Sequence, residues 1–230
     1  MLIYIEGNIG SGKSTFIDNL NLYLDNFLKL DLDARVVQEP VDEWMSTKDS
    51  DGENILEKFY TDQSRWSYCF QMNSFISRVK KIIDSITYET SNNNGLDKLI
   101  IAERSIYTDK NCFAENCYEN GNMTKIEYDI YCKWNEWLSD QFNMRPTAYI
   151  YLKCNPNVNH TRISQRNREG ENNIPITYLE QLHEKHEKWM TDELNNVPVF
   201  TIDATRNFKD PEEMELIFNE LYIFIQSLCD

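Results

Sequence analysis

The sequence is poor in positive charge and in long apolar runs, and both scarcities limit its function. It has 230 residues, with 23 Lys and Arg against 38 Asp and Glu, which gives a net charge of −15. This balance disfavours nucleic acid as a partner, because neutralising phosphates requires a positively charged face. No apolar run is long enough to span a bilayer, and the first residues, MLIYIEGN, carry neither a basic leader nor a cleavage site. We therefore expect a cytoplasmic protein that is neither secreted nor bound to a membrane.

Cysteine and histidine lack the spacing of a metal site or a disulfide framework. The six cysteines form no CxxC motif and do not pair with the three histidines at ligand-like spacings. We expect reduced thiols in a cytosolic environment. These cysteines are Cys69, Cys112, Cys117, Cys132, Cys154 and Cys229.

The order of apolar segments predicts an α/β fold. A chain that is 41% hydrophobic can bury a substantial core, and its length suits one domain over residues 1–230. Helical patterns cover about Lys13–Leu30, Asn54–Glu89 and Thr124–Phe142. Five short apolar runs predict strands at Leu2–Glu6, Ala34–Gln38, Leu99–Ala102, Thr147–Leu152 and Val197–Ile202. The alternation predicts a five-stranded parallel sheet flanked by helices, with ligands beyond the carboxyl ends of the strands.

Glycine is scarce, and its distribution marks a phosphate site. Three of the seven glycines fall in GNIGSGKST, which matches G-x-x-x-x-G-K-[ST] between a predicted strand and a predicted helix. Glycines let backbone N–H groups converge on phosphate oxygens, and the helix N-terminus adds a favourable dipole. Lys13 would hold the β- and γ-phosphates of ATP, and Ser14 would bind Mg²⁺. The predicted ATP-binding residues of this loop are Gly7, Asn8, Ile9, Gly10, Ser11, Gly12, Lys13, Ser14 and Thr15.

The loop has two alternative explanations besides an ATP site. A glycine-rich turn without a ligand is disfavoured, because the motif has the strand-to-helix context that its mechanism requires. A GTP-binding switch is disfavoured because the guanine-reading N-K-x-D motif is absent.

Two glutamates follow neighbouring predicted strands. Glu39 follows the second strand and Glu103 ends the third, so both should lie at the carboxyl edge of the sheet beside the phosphate loop. A glutamate there can act as general base on an acceptor hydroxyl or hold Mg²⁺ through water. Each could instead be a helix cap or an ion-pair partner, but their joint placement favours catalysis.

A cluster of arginines follows the fourth predicted strand. Arg162, Arg166 and Arg168 are three of only nine arginines, and the first two lie four residues apart on one helical face. Such a cluster can stabilise charge on a transferring phosphoryl group. A solvated charged face is the alternative. The polar segment EGENN that follows is typical of a mobile lid, which we place at about residues 162–175.

In six ordered segments the chain resembles the deoxynucleoside kinases of the deoxycytidine and deoxyguanosine kinase group. The segments are IEGNIGSGKST, QEPVDEW, YTDQSRWSYCFQMNSFISR, ERSIYTD, YLKCNPNVNHTRISQRNREGENNIPITYLEQLHEKHEKW and DATRNFKD. The resemblance implies a P-loop kinase fold and transfer of the ATP γ-phosphate to the 5′-hydroxyl of a deoxynucleoside, for nucleotide salvage. It also implies Mg²⁺ and a homodimer formed through helices that flank the long aromatic segment. Core packing within the monomer is an equal explanation of the amphipathic stretches there.

The resemblance implies roles for individual residues. Glu39 matches the carboxylate at the 5′-hydroxyl, Arg104 the arginine that steadies it, and Glu103 a glutamate near Mg²⁺ that is an alternative acid or base. Tyr60 and Glu171 match the pair that grips the sugar 3′-hydroxyl. The remaining matches are Trp44, Gln71 and Phe113 in the base pocket, Arg162, Arg166 and Arg168 in the lid, and Arg206, Asn207 and Phe208 in a loop on the ATP adenine.

The base pocket also follows from helical spacing. Gln71, Ser74 and Arg78 share one face of a predicted helix, and a buried arginine needs a partner, for which Asp109 is the candidate. A thymine methyl would press on this charged pair, so we expect purine deoxynucleosides or deoxycytidine to be favoured over thymidine. The sequence around Ser74 looks closer to the deoxyguanosine type, which favours purines.

Two other functions share the phosphate loop. A nucleoside monophosphate kinase, such as a thymidylate kinase, would need extra cations for the acceptor phosphate, whereas Glu39, Tyr60 and Gln71 suit a neutral nucleoside. A non-enzymatic P-loop nucleotide-binding module has no acceptor to deprotonate, so it does not need the paired carboxylates and the arginine lid.

Overall fold

Five parallel strands form the centre of the protein. A computed structural model describes residues 1–90, 95–168, 170–171, 174–192 and 196–229, with backbone only for 88–90. The strand order is β2-β3-β1-β4-β5, which confirms the predicted parallel α/β sheet. The strands are β1 (Leu2–Glu6), β2 (Leu32–Val37), β3 (Asp97–Glu103), β4 (Ala148–Lys153) and β5 (Val199–Asp203).

Helices cover both faces of the sheet. They are α1 (Lys13–Asn21), α2 (Val41–Ser46), α3 (Ile55–Thr61), α4 (Gln63–Thr90), α5 (Ile106–Thr108), α6 (Glu115–Glu119), α7 (Lys125–Gln141), α8 (Pro156–Arg166), α9 (Ile176–Met190) and α10 (Pro211–Gln226). A 3₁₀ helix spans Leu24–Leu30 and a π-helical segment spans Asp109–Ala114. None of the described helices is apolar over a length that would cross a membrane.

Alternate residues of β1 pack into two separate cores. Ile3 and Ile5 join the core that contains Phe16 of α1 and Phe218 of α10. Tyr4 points to the opposite face, into the core that contains residues of α4, α7 and α9. The central strand is therefore buried on both faces, as is typical of parallel sheets.

The prediction of one helix over Lys13–Leu30 is wrong. The α-helix ends at Asn21, and the chain continues as the 3₁₀ helix. The predicted apolar positions recur every four residues, and this spacing drifts around a helix that turns every 3.6 residues. The drift would turn Leu28 away from the core, and its side chain is 48% exposed.

The predicted helical region Asn54–Glu89 is two helices. Asn54 accepts a hydrogen bond from the Glu57 N–H at 2.9 Å and caps α3. Asp62 interrupts the helix and accepts from the Arg65 N–H at 3.1 Å, so it caps α4. Capping residues of this type terminate one helix and begin the next.

The bounds of β1 match the prediction, and those of the other four strands differ by one or two residues. One of the two-residue differences lies at β3, which begins at Asp97 rather than at Leu99. Asp97 and Lys98 are polar, but they pair in register with the start of β2, and Lys98 Nζ lies 2.8 Å from Asp33 Oδ2.

Candidate active site

The phosphate loop joins β1 to α1 in a conformation that only small residues allow. Gly10 and Gly12 have φ of 77° and 92°. A Cβ atom on Gly10 would lie 2.6 Å from the Asn159 carbonyl oxygen of α8. The loop is thus fixed by both backbone conformation and close packing.

Lys13 lies inside this loop. Its Nζ donates to the carbonyl oxygens of Gly7 at 3.1 Å and Asn8 at 2.9 Å. Burial, and next the nearby Arg104 cation, lower the pKa of Lys13 to about 7. A phosphate group would supply the negative charge that favours the protonated amine.

Glu39 follows β2 and lies between two arginines. Its Oε1 is 2.8 Å from Arg78 Nη2 and 3.3 Å from Arg104 Nε. Burial favours the protonated acid, but Arg78 and then Arg104 outweigh it, so the pKa of Glu39 falls to about 2. The carboxylate is therefore ionised at neutral pH and can accept a hydrogen bond from a hydroxyl group.

Glu103, at the end of β3, connects this carboxylate to the phosphate loop. Its Oε2 accepts the Glu39 N–H at 3.2 Å, and its Oε1 lies 3.5 Å from Ser14 Oγ. A carboxylate and a hydroxyl oxygen thus meet at the base of the loop. Oxygen ligands of this kind suit Mg²⁺.

Arg104 adopts a left-handed backbone conformation, with φ of 65°. Its Nη1 donates to the Gly7 carbonyl at 2.9 Å, and its guanidinium carbon lies 4.8 Å from the centre of the Phe113 ring. This side chain therefore connects the phosphate loop, Glu39 and an aromatic wall of the cavity.

Arg78 of α4 and Asp109 form the predicted buried ion pair. The Nε and Nη2 atoms of Arg78 lie 2.7 and 3.1 Å from the two Asp109 oxygens. Sequence reasoning missed that Arg78 also binds Glu39 and the Glu103 carbonyl, the latter at 3.1 Å. Burial opposes the Arg78 charge, but Asp109 and Glu39 together raise its pKa.

Aromatic side chains line the cavity between this pair and the outer wall. Phe70 stacks on Phe59 at 4.7 Å and meets the edge of Trp44 at 5.6 Å. The Trp44 Nε1 donates to Ser77 Oγ at 2.8 Å. Phe59 was not predicted; the capping box at the start of α3 is the sequence signal that could have set its orientation.

Two polar residues predicted for the base pocket also face the cavity. The Gln71 amide contacts Cys117 Sγ at 3.9 Å and keeps its remaining hydrogen-bonding capacity for other partners. The Ser74 hydroxyl donates to the Gln71 carbonyl of its own helix at 3.1 Å.

Two of the three predicted lid arginines share a partner, and the third contacts another segment. Arg166 and Arg168 both pair with Glu171, the latter at 3.1 Å. Arg162 donates to the Ala204 carbonyl at 2.7 Å and so ties α8 to the segment after β5. Of the predicted lid, residues 169, 172 and 173 lie outside the described residues.

The three predicted residues of the loop after β5 differ in whether they contact the cavity. Phe208 packs on Phe16 with ring centres 5.7 Å apart, and its ring lies under Gly12. Asn207 and Phe208 line the cavity. Arg206 pairs instead with Glu213 of α10.

One cavity of about 570 Å³ runs from the phosphate loop to the Arg78–Asp109 pair. Tyr60 and Glu171 line it together with the residues described above. Val41, Leu56 and Gln165 also line it and were not predicted. A P-loop at one end, an ionised carboxylate in the middle and a polar pocket at the other end define a phosphotransferase that takes a small-molecule acceptor.

Comparison with known proteins gives the family. Residues 3–226 match the deoxynucleoside kinase family, and the chain belongs to this family. It is 36% identical to a probable deoxycytidine kinase of fowlpox virus (strain NVSL) over 98% of the chain and 88% of the relative. It is 36% identical to human deoxycytidine kinase over 92% and 86% of the two chains. It is 30% identical to a mitochondrial deoxyguanosine kinase of Xenopus laevis over 90% and 82%.

The chain is therefore an ATP-dependent deoxynucleoside kinase. Neither a nucleoside monophosphate kinase nor a non-enzymatic nucleotide-binding module is favoured by these matches.

Proposed function

We propose that Glu39 accepts a hydrogen bond from the 5′-hydroxyl of the deoxynucleoside and directs its oxygen at the γ-phosphate of ATP. The observation that carries this proposal is the position of the ionised Glu39 carboxylate, in the cavity between the phosphate loop and the Arg78–Asp109 pair. Arg78 and Arg104 fix its orientation. Positioning of this kind supplies a large part of catalysis in phosphoryl transfer.

Basic residues bind the donor in this proposal. The loop from Gly7 to Thr15 holds the phosphates of ATP, with Lys13 at the β- and γ-phosphates. Arg166 and Arg168 contact the transferring group as the lid closes, and Asn207 and Phe208 border the adenine. The proposal for Arg162 and Arg206 is indirect, because their observed contacts orient α8 and α10.

Ser14 and Glu103 hold Mg²⁺ in this proposal. Their oxygens are 3.5 Å apart at the base of the phosphate loop, and Mg²⁺ in kinases commonly takes one or two protein ligands besides phosphates and water. When bound, the ion offsets the negative charge of the ATP phosphates.

The remaining residues bind the nucleoside. We assign Tyr60 and Glu171 to the sugar 3′-hydroxyl, Trp44, Ser74 and Phe113 to the walls around the base, and Gln71 to its polar edge. The Arg78–Asp109 pair favours a base with an exocyclic amine, as in deoxycytidine, deoxyguanosine or deoxyadenosine, over thymine. The printed functions of the relatives, deoxycytidine and deoxyguanosine kinase, support this range.

We further propose a cytoplasmic homodimer of one-domain subunits with a lid at about residues 162–175. Exposed apolar side chains on α4 and α7 support the dimer, because a contact between subunits would remove them from water. They are Ile76 (48% exposed), Ile126 (73%), Ile130 (37%), Trp134 (45%) and Trp137 (54%). Sedimentation of the parent and of a W134E/W137E variant tests this interface.

A coupled ADP-release assay tests the proposed function. The four natural deoxynucleosides and their 5′-monophosphates are offered in parallel with ATP. We expect turnover with nucleosides only, lost in E39Q and kept in E43Q, a matched change on the exposed side of α2. Preferential turnover of monophosphates, or an unchanged E39Q, would contradict it.

A further inference from the structure

Glu6 is a completely buried acid at the end of β1 to which the reaction assigns no role. Its Oε1 accepts the backbone N–H of Ser105 at 2.9 Å. Its Oε2 has no hydrogen-bond partner among the described residues. A buried carboxyl group is costly to keep. Burial raises the pKa of Glu6, and the Arg104 cation and the Ser105 and Thr108 side chains oppose that shift only in part. The hydrogen bond from the Ser105 N–H is the contact that joins Glu6 to the backbone of the next turn.

That contact fixes the turn that carries Arg104. The Arg104 N–H donates to the Ile5 carbonyl at 2.9 Å, and the next N–H, of Ser105, donates to Glu6. Two successive peptide groups of the turn are therefore bound to consecutive residues of β1. Between them Arg104 has φ of 65°, a backbone conformation that a residue with a side chain keeps only when its surroundings hold it.

The conformation of Arg104 decides where its guanidinium lies. From this turn it reaches the Gly7 carbonyl at 2.9 Å and Glu39 Oε1 at 3.3 Å. A return of Arg104 to an ordinary backbone conformation would redirect the side chain and remove one of the two cations that flank Glu39.

We propose that Glu6 is a positioning residue, which holds Arg104 in its left-handed conformation by accepting the Ser105 N–H and thereby orients Glu39. The role depends on the acceptor oxygen at its observed reach and needs no contact with either substrate. The inference rests on the proposed function of Glu39.

Three variants of Glu6 distinguish the effect of the position of its acceptor oxygen from the effect of its charge. E6Q keeps an acceptor oxygen at the same reach, because glutamine has the same length and one carbonyl oxygen. E6D keeps the acid but withdraws the oxygen by one methylene, and E6N is both short and neutral. We expect E6Q to keep kcat within about threefold of the parent and E6D and E6N to lose about tenfold or more, with the KM for ATP within about twofold.

A double variant with R104A tests whether Glu6 acts through Arg104. If it does, E6D/R104A loses no more kcat than R104A alone, within about twofold. Losses that multiply would overturn the proposal, as would an E6Q that is less active than E6D. If E6D does not fold, E6N takes its place in both comparisons.

Y4F is the matched control for a purely structural effect. Tyr4 lies on the same strand and the same face as Glu6, is equally buried, and donates a hydrogen bond to the Met144 carbonyl at 3.0 Å. We expect Y4F to lower Tm while kcat stays within about twofold of the parent. A Y4F that loses kcat together with Tm as E6D does would reduce Glu6 to a structural role and overturn the proposal.

The E39Q variant keeps the two proposals apart. An E39Q with unchanged kcat contradicts the proposed function, whereas an impaired E39Q together with an unimpaired E6D contradicts only the role of Glu6.

Discussion

Removing Arg78 should destabilise the protein more than removing Asp109, although the two residues form one ion pair. R78M leaves Asp109 buried without its cation, and breaking a buried pair in this way costs about 3–5 kcal/mol. D109A leaves Arg78 bound to Glu39 at 2.8 Å and to the Glu103 carbonyl at 3.1 Å, so its cost should be about 1–3 kcal/mol. The double variant R78M/D109A removes both charges. Its loss in the free energy of unfolding should be smaller than the sum of the losses in R78M and D109A.

The same variants should change activity in a different order. Arg78 is the first of the cations that lower the pKa of Glu39 to about 2. R78M, alone or with D109A, raises this pKa and loosens the carboxylate, so kcat should fall about tenfold or more for every deoxynucleoside. The double variant also opens room for the thymine methyl, so the kcat/KM for thymidine relative to deoxycytidine should rise even as the absolute rates fall.

Urea unfolding checks the predicted ranking of the variants by stability, and steady-state kinetics with the four deoxynucleosides check their predicted ranking by activity. The control is K125A, which removes an exposed ion pair with Asp129 and should leave the free energy of unfolding almost unchanged. A D109A variant less stable than R78M would refute the shared-arginine argument. Thymidine as the best substrate of the parent would refute the role of the pair in base selection.

Three further predictions follow from the site. ATP binding at pH 8 should take up about one proton, because the pKa of Lys13 is lowered to about 7 and bound phosphates restore its charge. Titration calorimetry in buffers of different ionisation enthalpy measures this uptake. A binding heat that is the same in all buffers would contradict it. E39Q should lose about 10²–10⁴-fold in kcat, with the KM for the nucleoside little changed. Because the pKa of Glu39 is about 2, the pH profile of kcat for the parent should show no fall due to protonation of Glu39 above about pH 4. G10A should raise the KM for ATP about tenfold or more, because its Cβ would lie 2.6 Å from a carbonyl oxygen. Gly121 has a similar positive φ, 73° against 77°, with open space around it, so G121A should leave the kinetics unchanged.

Local patterns were sufficient to predict the sheet and the phosphate loop. Strand runs, glycine spacing and the helix that begins at Lys13 are properties of neighbouring residues, so they can be read without knowing the tertiary contacts. The Arg78–Asp109 pair could also be predicted, because a buried arginine requires an acidic partner.

Contacts that depend on three elements meeting could be predicted only in part. Glu39 is shared by arginines of α4 and of the turn after β3. The family resemblance implied the contact with Arg104, but no spacing in the sequence encodes the contact with Arg78. Arg162 looks like its neighbours in sequence but is drawn to the Ala204 carbonyl by the packing of α8. Glu6 resembles any strand-terminal residue until the turn that it holds is visible.

Because β1 lies at the centre of the sheet, it is synthesised first but can pair only with strands that are synthesised later. Ile3 pairs with Ile101 on one side and with Ala148 on the other, so the strand before the phosphate loop gains its first neighbour only after Glu103, the end of β3, has been made, and its second only after Lys153, the end of β4. Pairings this distant in sequence form slowly. A nascent chain that ends within α4 holds every residue of the loop but has no sheet on which to shape it. Such a chain exposes an unpaired apolar strand, which makes it a natural client for chaperones during synthesis.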